Sequence, residues 1–322
     1  MGRNERNGLR TWIEIDRKAI RHNFDMFRGL IAPRVKLMAV VKSNAYGHGL
    51  IDFSREMERL GADFLGVDSM VEASALRREG VKLPILVLGY TLPKLFSEAA
   101  QDDISLTVSS FETLDALRKM KVPKPLKIHI KVDTGMHRQG FLLADLPEVL
   151  LRIKPARRSL GAGGDKGLRI QTEGLFTHFA NAKNPAFPKD TNAQLVEFKK
   201  WIAAFKKAGL KPLVHAAATA GTMLYPESHF DMVRVGIGLY GLWPAKEVKE
   251  YLKEQMTLKP ALSWKSILTE VKRLPKGSRI GYDLTESIVR DSTVAVVPIG
   301  YWHGYPRSLS SIGRMFVKGK LS

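Results

Sequence analysis

The sequence predicts a (β/α)8 barrel, a TIM-like α/β fold, followed by a β-rich C-terminal domain. Three observations carry this expectation. Eight short runs, most of them aliphatic or β-branched, recur along the first ~240 residues, the span that such a barrel needs. Stretches with apolar residues three and four apart lie between them, as amphipathic helices require. After Trp243-Pro244 the pattern changes to alternating runs with few helical stretches. The expected boundaries are 11–243 for the barrel and 244–322 for the β domain. The second domain looks incomplete, and residues 1–10 are candidates to join it.

The runs, in order, are residues 36–42 (KLMAVVK), 64–68 (FLGVD), 84–89 (PILVLG), 106–110 (LTVSS), 126–133 (LKIHIKVD), 173–179 (EGLFTHF), 213–219 (LVHAAAT) and 232–240 (MVRVGIGLY). Short, nearly continuous apolar runs are what strands buried on both faces look like. The helix-like stretches include SREMERLGA, VEASALRREG, LFSEAAQ, FETLDALRKM and NAQLVEFKKWIAAFKKAGL, and Gly61, Gly80 and Gly209 stand where C-terminal caps fall. An open, doubly wound sheet is the main alternative for such alternation. SLGAGGDKG at 159–167 reads as a loop. Beyond the barrel, a helical AKEVKEYLKEQ leads into ALSWKSILTEVKRL, a Pro275-Lys276-Gly277 turn and STVAVVPIGY.

Composition narrows the classes of function. At 44% hydrophobic and 26% charged the chain has apolar material for a core, and disorder is excluded. No apolar run approaches a membrane span. The polar start, MGRNERNGLR, is not a signal peptide, and with no cysteine the chain lacks disulfides and thiolate chemistry. Both fit a cytoplasmic protein. The net charge of +19 raises the question of nucleic acid, but the basic residues are spread in short pairs such as Arg157-Arg158 and Lys199-Lys200. Nucleic-acid binders concentrate such charge on one face. A solvated basic surface that attracts anionic metabolites is the reading adopted, with no nucleic-acid or membrane partner.

The chemistry is expected where the first barrel strand ends. Lys42 is followed by Ser43-Asn44-Ala45-Tyr46-Gly47-His48-Gly49. The C-terminal end of barrel strands is where active sites form. Desolvation there lowers a lysine's pKa and turns the amine into a Schiff-base nucleophile. A surface lysine at a strand end is the bland alternative; the adjoining Tyr, Gly and His tip the balance.

The segment AVVKSNAYGHG resembles the cofactor-lysine signature of alanine racemases, pyridoxal-phosphate enzymes with an N-terminal barrel and a C-terminal β domain. The resemblance continues, in the family's order, through KVDTGMHRQGF at 131–141, GLFTHFA at 174–180, HAAATAGTMLYP at 215–226, MVRVGIGLYG at 232–241, RIGYD at 279–283 and VPIGYWHGYPR at 297–307. It implies that Lys42 binds pyridoxal 5'-phosphate covalently and is the base for the D-enantiomer. Tyr282 would be the second base, acting on the L-enantiomer from the opposite face.

The same resemblance gives the remaining roles. Tyr46, Thr219 and the backbone of Gly236 and Ile237 would hold the phosphate, and His178 would organise the catalytic tyrosine. Arg138 would lie by the substrate carboxylate, with Lys131 where the family has a lysine that can be carbamylated. Tyr301 would line the substrate entrance. Arg234 would face the pyridine nitrogen, where a guanidinium donates a hydrogen bond and not a proton. That leaves the cofactor a weaker electron sink and favours racemisation over transamination. The chain departs from the usual family form at Ala218-Thr219, which replaces Asn-Ser, at Gly281 and Asp283 around the tyrosine, and at Trp302-His303.

The activity implied is interconversion of L- and D-alanine for peptidoglycan, in a homodimer whose protomers share active sites. Alternatives are a racemase of another or broader amino-acid range, or a cofactor-binding barrel without racemase activity, against which Tyr282 and the second domain argue. The chain stops in what reads as the middle of a strand pair, and a fragment, or a relaxed function, is the expectation.

Overall fold

The computed structural model describes residues 8–120, 124–153 and 170–322. Arg157-Arg158 and the expected loop at 159–167 lie outside the described residues, as do residues 1–7. The described chain divides by contacts into two units, one within 16–261 and the other formed by 8–15 with 262–322.

The larger unit is a closed barrel of eight parallel strands. With β1 (Thr11–Ile15) belonging to the other unit, the staves are β2 (Lys36–Val40), β3 (Phe64–Val67), β4 (Ile85–Val87), β5 (Ile104–Val108), β6 (Leu126–Lys131), β7 (Ile170–Phe176), β8 (Leu213–His215) and β9 (Met232–Val235). Each falls in or overlaps one of the eight predicted runs. Pairing of Leu37 with Val233 and of Met38 with Arg234 closes the ring. Met38, Phe64, Leu86 and Met232 form a fully buried apolar cluster, flanked by Leu88 and Leu213. The register of β6 and β7 slips between Ile128 and His129, so that His129 stands opposite Gly174.

The outer helices bury one face each. In the helix Arg17–Leu30, Ile20, Phe24 and Phe27 are buried at helical spacing, and the Asp16 carboxylate caps it by accepting from Lys18 N at 2.7 Å and Ala19 N at 3.1 Å. The helix Lys189–Lys207 buries Leu195, Phe198, Trp201 and Phe205. Among the described residues no helix is long and apolar enough to cross a membrane.

The division differs from the expected one at both edges. Residues 11–15 read as the start of the barrel, but Thr11–Ile15 pairs antiparallel with β10 (Leu262–Ser266), Thr11 opposite Ser266 and Ile15 opposite Leu262. Residues 244–261, in contrast, belong with the barrel. The reason is burial: Val248 and Leu252 of the helix Lys246–Leu252 are buried, and the buried Asn23 donates to Lys259 O at 2.8 Å while accepting from Lys259 N at 2.9 Å.

The smaller unit is β-rich, as expected. Beyond the β1–β10 ribbon it contains the antiparallel pairs β11 (Glu270–Leu274) with β14 (Ser292–Val296), β12 (Arg279–Ile280) with β13 (Glu286–Ser287), and β15 (Phe316–Val317) with β16 (Lys320–Leu321).

Candidate active site

The C-terminal mouth of the barrel encloses a cavity of about 550 Å³, whose lining includes Lys42, Tyr46, Lys131, Arg138, His178, Thr219, Arg234, Gly236 and Ile237. Nine residues chosen from sequence, spread over nearly 200 positions, therefore face one space.

Lys42 leaves β2 into a left-handed turn. Ser43, Asn44, Ala45 and Tyr46 have φ between 51° and 55°, and Gly47 follows at 86°. Non-glycine residues in this region cost about 1–2 kcal/mol each. Asn44 offsets part of that: its backbone N–H donates to Glu72 Oε1 at 3.0 Å and its side-chain Oδ1 accepts from Leu50 N at 2.9 Å. The Lys42 amine is 3.8 Å from Asp68 Oδ1, both side chains being partly open to the cavity.

The turn brings Tyr46 to the same cavity. Its ring packs 5.0 Å from that of the buried Tyr240, whose hydroxyl donates to Val40 O at 2.9 Å, and burial raises the Tyr46 pKa above its ordinary value. A Cβ built on Gly236 would come within 3.0 Å of the Tyr46 hydroxyl, so glycine keeps this corner open. Thr219 Oγ1 accepts from Gly236 N at 3.1 Å. A hydroxyl, a phenol and the backbone turn after β9 thus converge at one edge.

Cations occupy the other walls. Arg234 is fully buried, and its Nη2 donates to Thr177 O at 2.8 Å, to Ala216 O at 2.9 Å and to His178 Nδ1 at 3.1 Å. Burial brings its pKa down to about 9, which still leaves it charged at neutral pH. His178 is pushed down to about 3, by burial first and then by Arg234, Lys131, Arg138 and Lys42, and is neutral. Because arginine only donates, His178 Nδ1 is the acceptor and its proton sits on Nε2.

Lys131 donates to Gln139 Oε1 at 3.0 Å. Burial, then the charges of Arg138 and Arg234, brings its amine down to about 8. The loop carrying Arg138 is shaped by the buried Asp133, which accepts from Gly135 N, Met136 N and His137 N at 2.9, 2.9 and 3.0 Å.

The two remaining assigned residues are Tyr282 and Tyr301. Both belong to the smaller unit, at the starts of the short turns Tyr282–Leu284 and Tyr301–His303, and are 94% and 70% exposed. The cavity lining comes wholly from residues 16–261. Sequence reasoning passed over Asp68, His129, Glu173 and His215. Strand periodicity was the available signal: in LKIHIKVD, alternate positions carry Lys127, His129 and Lys131 to the same face.

Family models agree with this architecture. One described as alanine racemase, N-terminal domain, matches residues 15–244, and one described as alanine racemase, C-terminal domain, matches residues 261–322. A fold and a site of this kind define a class, and the chain belongs to the alanine racemase family, whose members are isomerases. It is 37% identical to alanine racemase 1 of Oceanobacillus iheyensis and 38% identical to the alanine racemase of Methanococcus maripaludis, in each case over 96% of this chain and 79% of the relative. Among solved structures, the alanine racemase of Clostridium difficile 630 matches with a TM-score of 0.87 at 31% identity, over 97% of this chain and 79% of that one. That of Bacillus anthracis with bound L-Ala-P matches with a TM-score of 0.85 at 34% identity, over 97% and 78%.

Proposed function

We propose that this chain racemises alanine in the cytoplasm, using pyridoxal 5'-phosphate held at the barrel mouth. The observation that carries the reading is the convergence of Lys42, Arg234 and the Tyr46–Thr219–Gly236 corner on one cavity. The residues present fit the cofactor. A Cβ at Gly236 would crowd the Tyr46 hydroxyl, so the corner is a cradle open to a phosphate, with Tyr46, Thr219 and the backbone of Gly236 and Ile237 to hold it. When bound, the cofactor supplies the electron sink that acidifies the substrate's α-hydrogen.

The chain's own groups do the rest. Lys42 anchors the cofactor and exchanges a proton with one face of the substrate α-carbon at its Nζ. Arg234, charged and fixed by Thr177, Ala216 and His178, would offer a bound cofactor's ring nitrogen a hydrogen bond without giving it a proton. Arg138, on the loop shaped by Asp133, orients the substrate carboxylate. The opposite face needs a second base, and Tyr282 is the assigned residue. The resemblance to racemases whose protomers share active sites supports a homodimer in which each protomer's Tyr282 serves the partner's cavity, with Tyr301 at the entrance.

Borohydride reduction tests the assignment. Protein loaded with pyridoxal 5'-phosphate should absorb near ~420 nm, lose that band on reduction, and yield a modified peptide containing Lys42. A modified peptide containing any other lysine would overturn it.

A further inference from the structure

The cavity's buried cation is the visible end of a longer chain of side chains that runs through the barrel interior. Arg234 Nη1 lies 2.9 Å from His215 Nδ1. His215 Nε2 lies 2.9 Å from His129 Nδ1, and His129 Nε2 lies 3.0 Å from Glu173 Oε2. Ser105 Oγ donates to the same carboxylate oxygen at 2.5 Å. All three of Arg234, His215 and His129 are buried, the two histidines completely.

The direction of every bond in this chain is fixed by one fact: a guanidinium has no acceptor. His215 Nδ1 must therefore accept, which puts its proton on Nε2. That proton is donated to His129 Nδ1, which must also accept, and the His129 proton is forced onto Nε2. Only an acceptor can follow, and the Glu173 carboxylate is one. Both imidazoles are neutral in this arrangement. Burial, and then the Arg234 charge, keep His215 well below its ordinary pKa, while burial opposes and the His129 and Ser105 hydrogen bonds favour the ionised Glu173, whose pKa is lowered.

The backbone is adapted to this chain. The β6–β7 register slips at His129, and the residue opposite is Gly174, where a Cβ would fall 2.0 Å from His129 Nδ1. No other residue type leaves room for the ring. A buried run of polar groups is tolerated only when each member is satisfied, and such a network specifies a single arrangement.

We infer that Glu173 is a positioning residue for Arg234, acting through His129 and His215 to hold the guanidinium as a fixed, charged donor at the cavity. Truncating its carboxylate leaves the His129 N–H without its acceptor. The His129 ring is then free to turn away, His215 loses its anchor, and Arg234 loses the bond that orients Nη1.

The inference is tested on the full chain without cofactor, so that its failure is distinguishable from failure of the proposed racemase activity. Nitrogen-15 spectra of histidine- and arginine-labelled protein at neutral pH should show His129 and His215 protonated on Nε2, with separately resolved Nη signals for Arg234. A His215 proton on Nδ1 would overturn the inference. In Glu173→Ala, the His215 Nδ1 signal should shift toward that of an acceptor without a donor, and the Arg234 Nη signals should merge as the group rotates. A folded Glu173→Ala protein with wild-type His215 and Arg234 signals sinks the proposal. Should that variant fail to fold, Glu173→Gln retains an acceptor oxygen and lacks the charge. It should give a smaller His215 shift in the same direction, and no shift there would count equally against the inference.

Discussion

Lys131 and Tyr282 are single residues with opposite surroundings, and each yields a prediction. Lys131 is buried, and desolvation first, then the charges of Arg138 and Arg234, brings its amine to about 8. A neutral amine is the form that adds carbon dioxide, and the resulting carbamate would carry the negative charge that Arg138 and Arg234 favour at this spot. Protein incubated with 13C-bicarbonate near pH 8 should therefore show a carbamate carbon signal that is absent from Lys131→Ala. A signal of equal size in that variant would place the modification elsewhere. Tyr282, in contrast, sits in the open on the smaller unit. Tyr282→Phe deletes the phenolic oxygen and leaves Lys42 and the cofactor cradle intact. Racemisation should fall by ~10²–10⁴-fold, the usual worth of a positioned acid or base, while the absorbance of bound cofactor is unchanged. Exchange of the D-alanine α-hydrogen with solvent, which in the proposed scheme passes through Lys42, should suffer less. Equal loss of exchange from both enantiomers would contradict the two-base scheme.

Among the elements, the left-handed turn after β2 does most to aim the site, because it sets the Lys42 amine and the Tyr46 hydroxyl at once. Asn44 holds it in two ways, by tolerating a φ of 55° and by accepting the Leu50 N–H. Asn44→Gly keeps the first and loses the second; Asn44→Ala loses both. Melting temperatures and pyridoxal-phosphate affinities should fall in the order wild type, glycine, alanine, with the alanine variant about 1–2 kcal/mol below the glycine one. Reversal of the last two would show that the turn is held by something other than backbone tolerance. The turn's presence was legible in SNAYGHG, but its handedness was not, since asparagine and glycine permit several turn types. The eight strands were legible because burial on both faces leaves an apolar run that no partner is needed to recognise. TWIEI at 11–15 was misplaced for the converse reason: its partner, Leu262–Ser266, is some 250 residues away, and alternation records a face without naming the strand beside it. His129, Glu173 and Ser105 were missed because single polar residues inside strands look alike until a closed barrel turns them toward one axis.

For the whole molecule, the deciding feature is that the groups assigned to the two faces of the substrate lie in different contact units of one chain, Lys42 within 16–261 and Tyr282 within 262–322. A shared-site dimer and a self-contained site differ in what a mixture of two dead variants can do. In Lys42→Ala homodimers every cavity lacks the anchoring amine, and in Tyr282→Phe homodimers every cavity lacks the second base. If each protomer's tyrosine serves the partner's cavity, a mixed dimer holds one cavity with both defects and one with neither. Co-expression of the two variants, with different affinity tags so that mixed dimers can be isolated, should then restore about half of the wild-type activity per mixed dimer, one of two symmetry-related sites being whole. If each chain completes its own site, every cavity in the mixed dimer carries one defect and no activity returns. The isolated homodimers, assayed alongside, set the baseline. A mixed dimer no more active than those homodimers would defeat the shared-site arrangement, whatever oligomeric state the protein adopts.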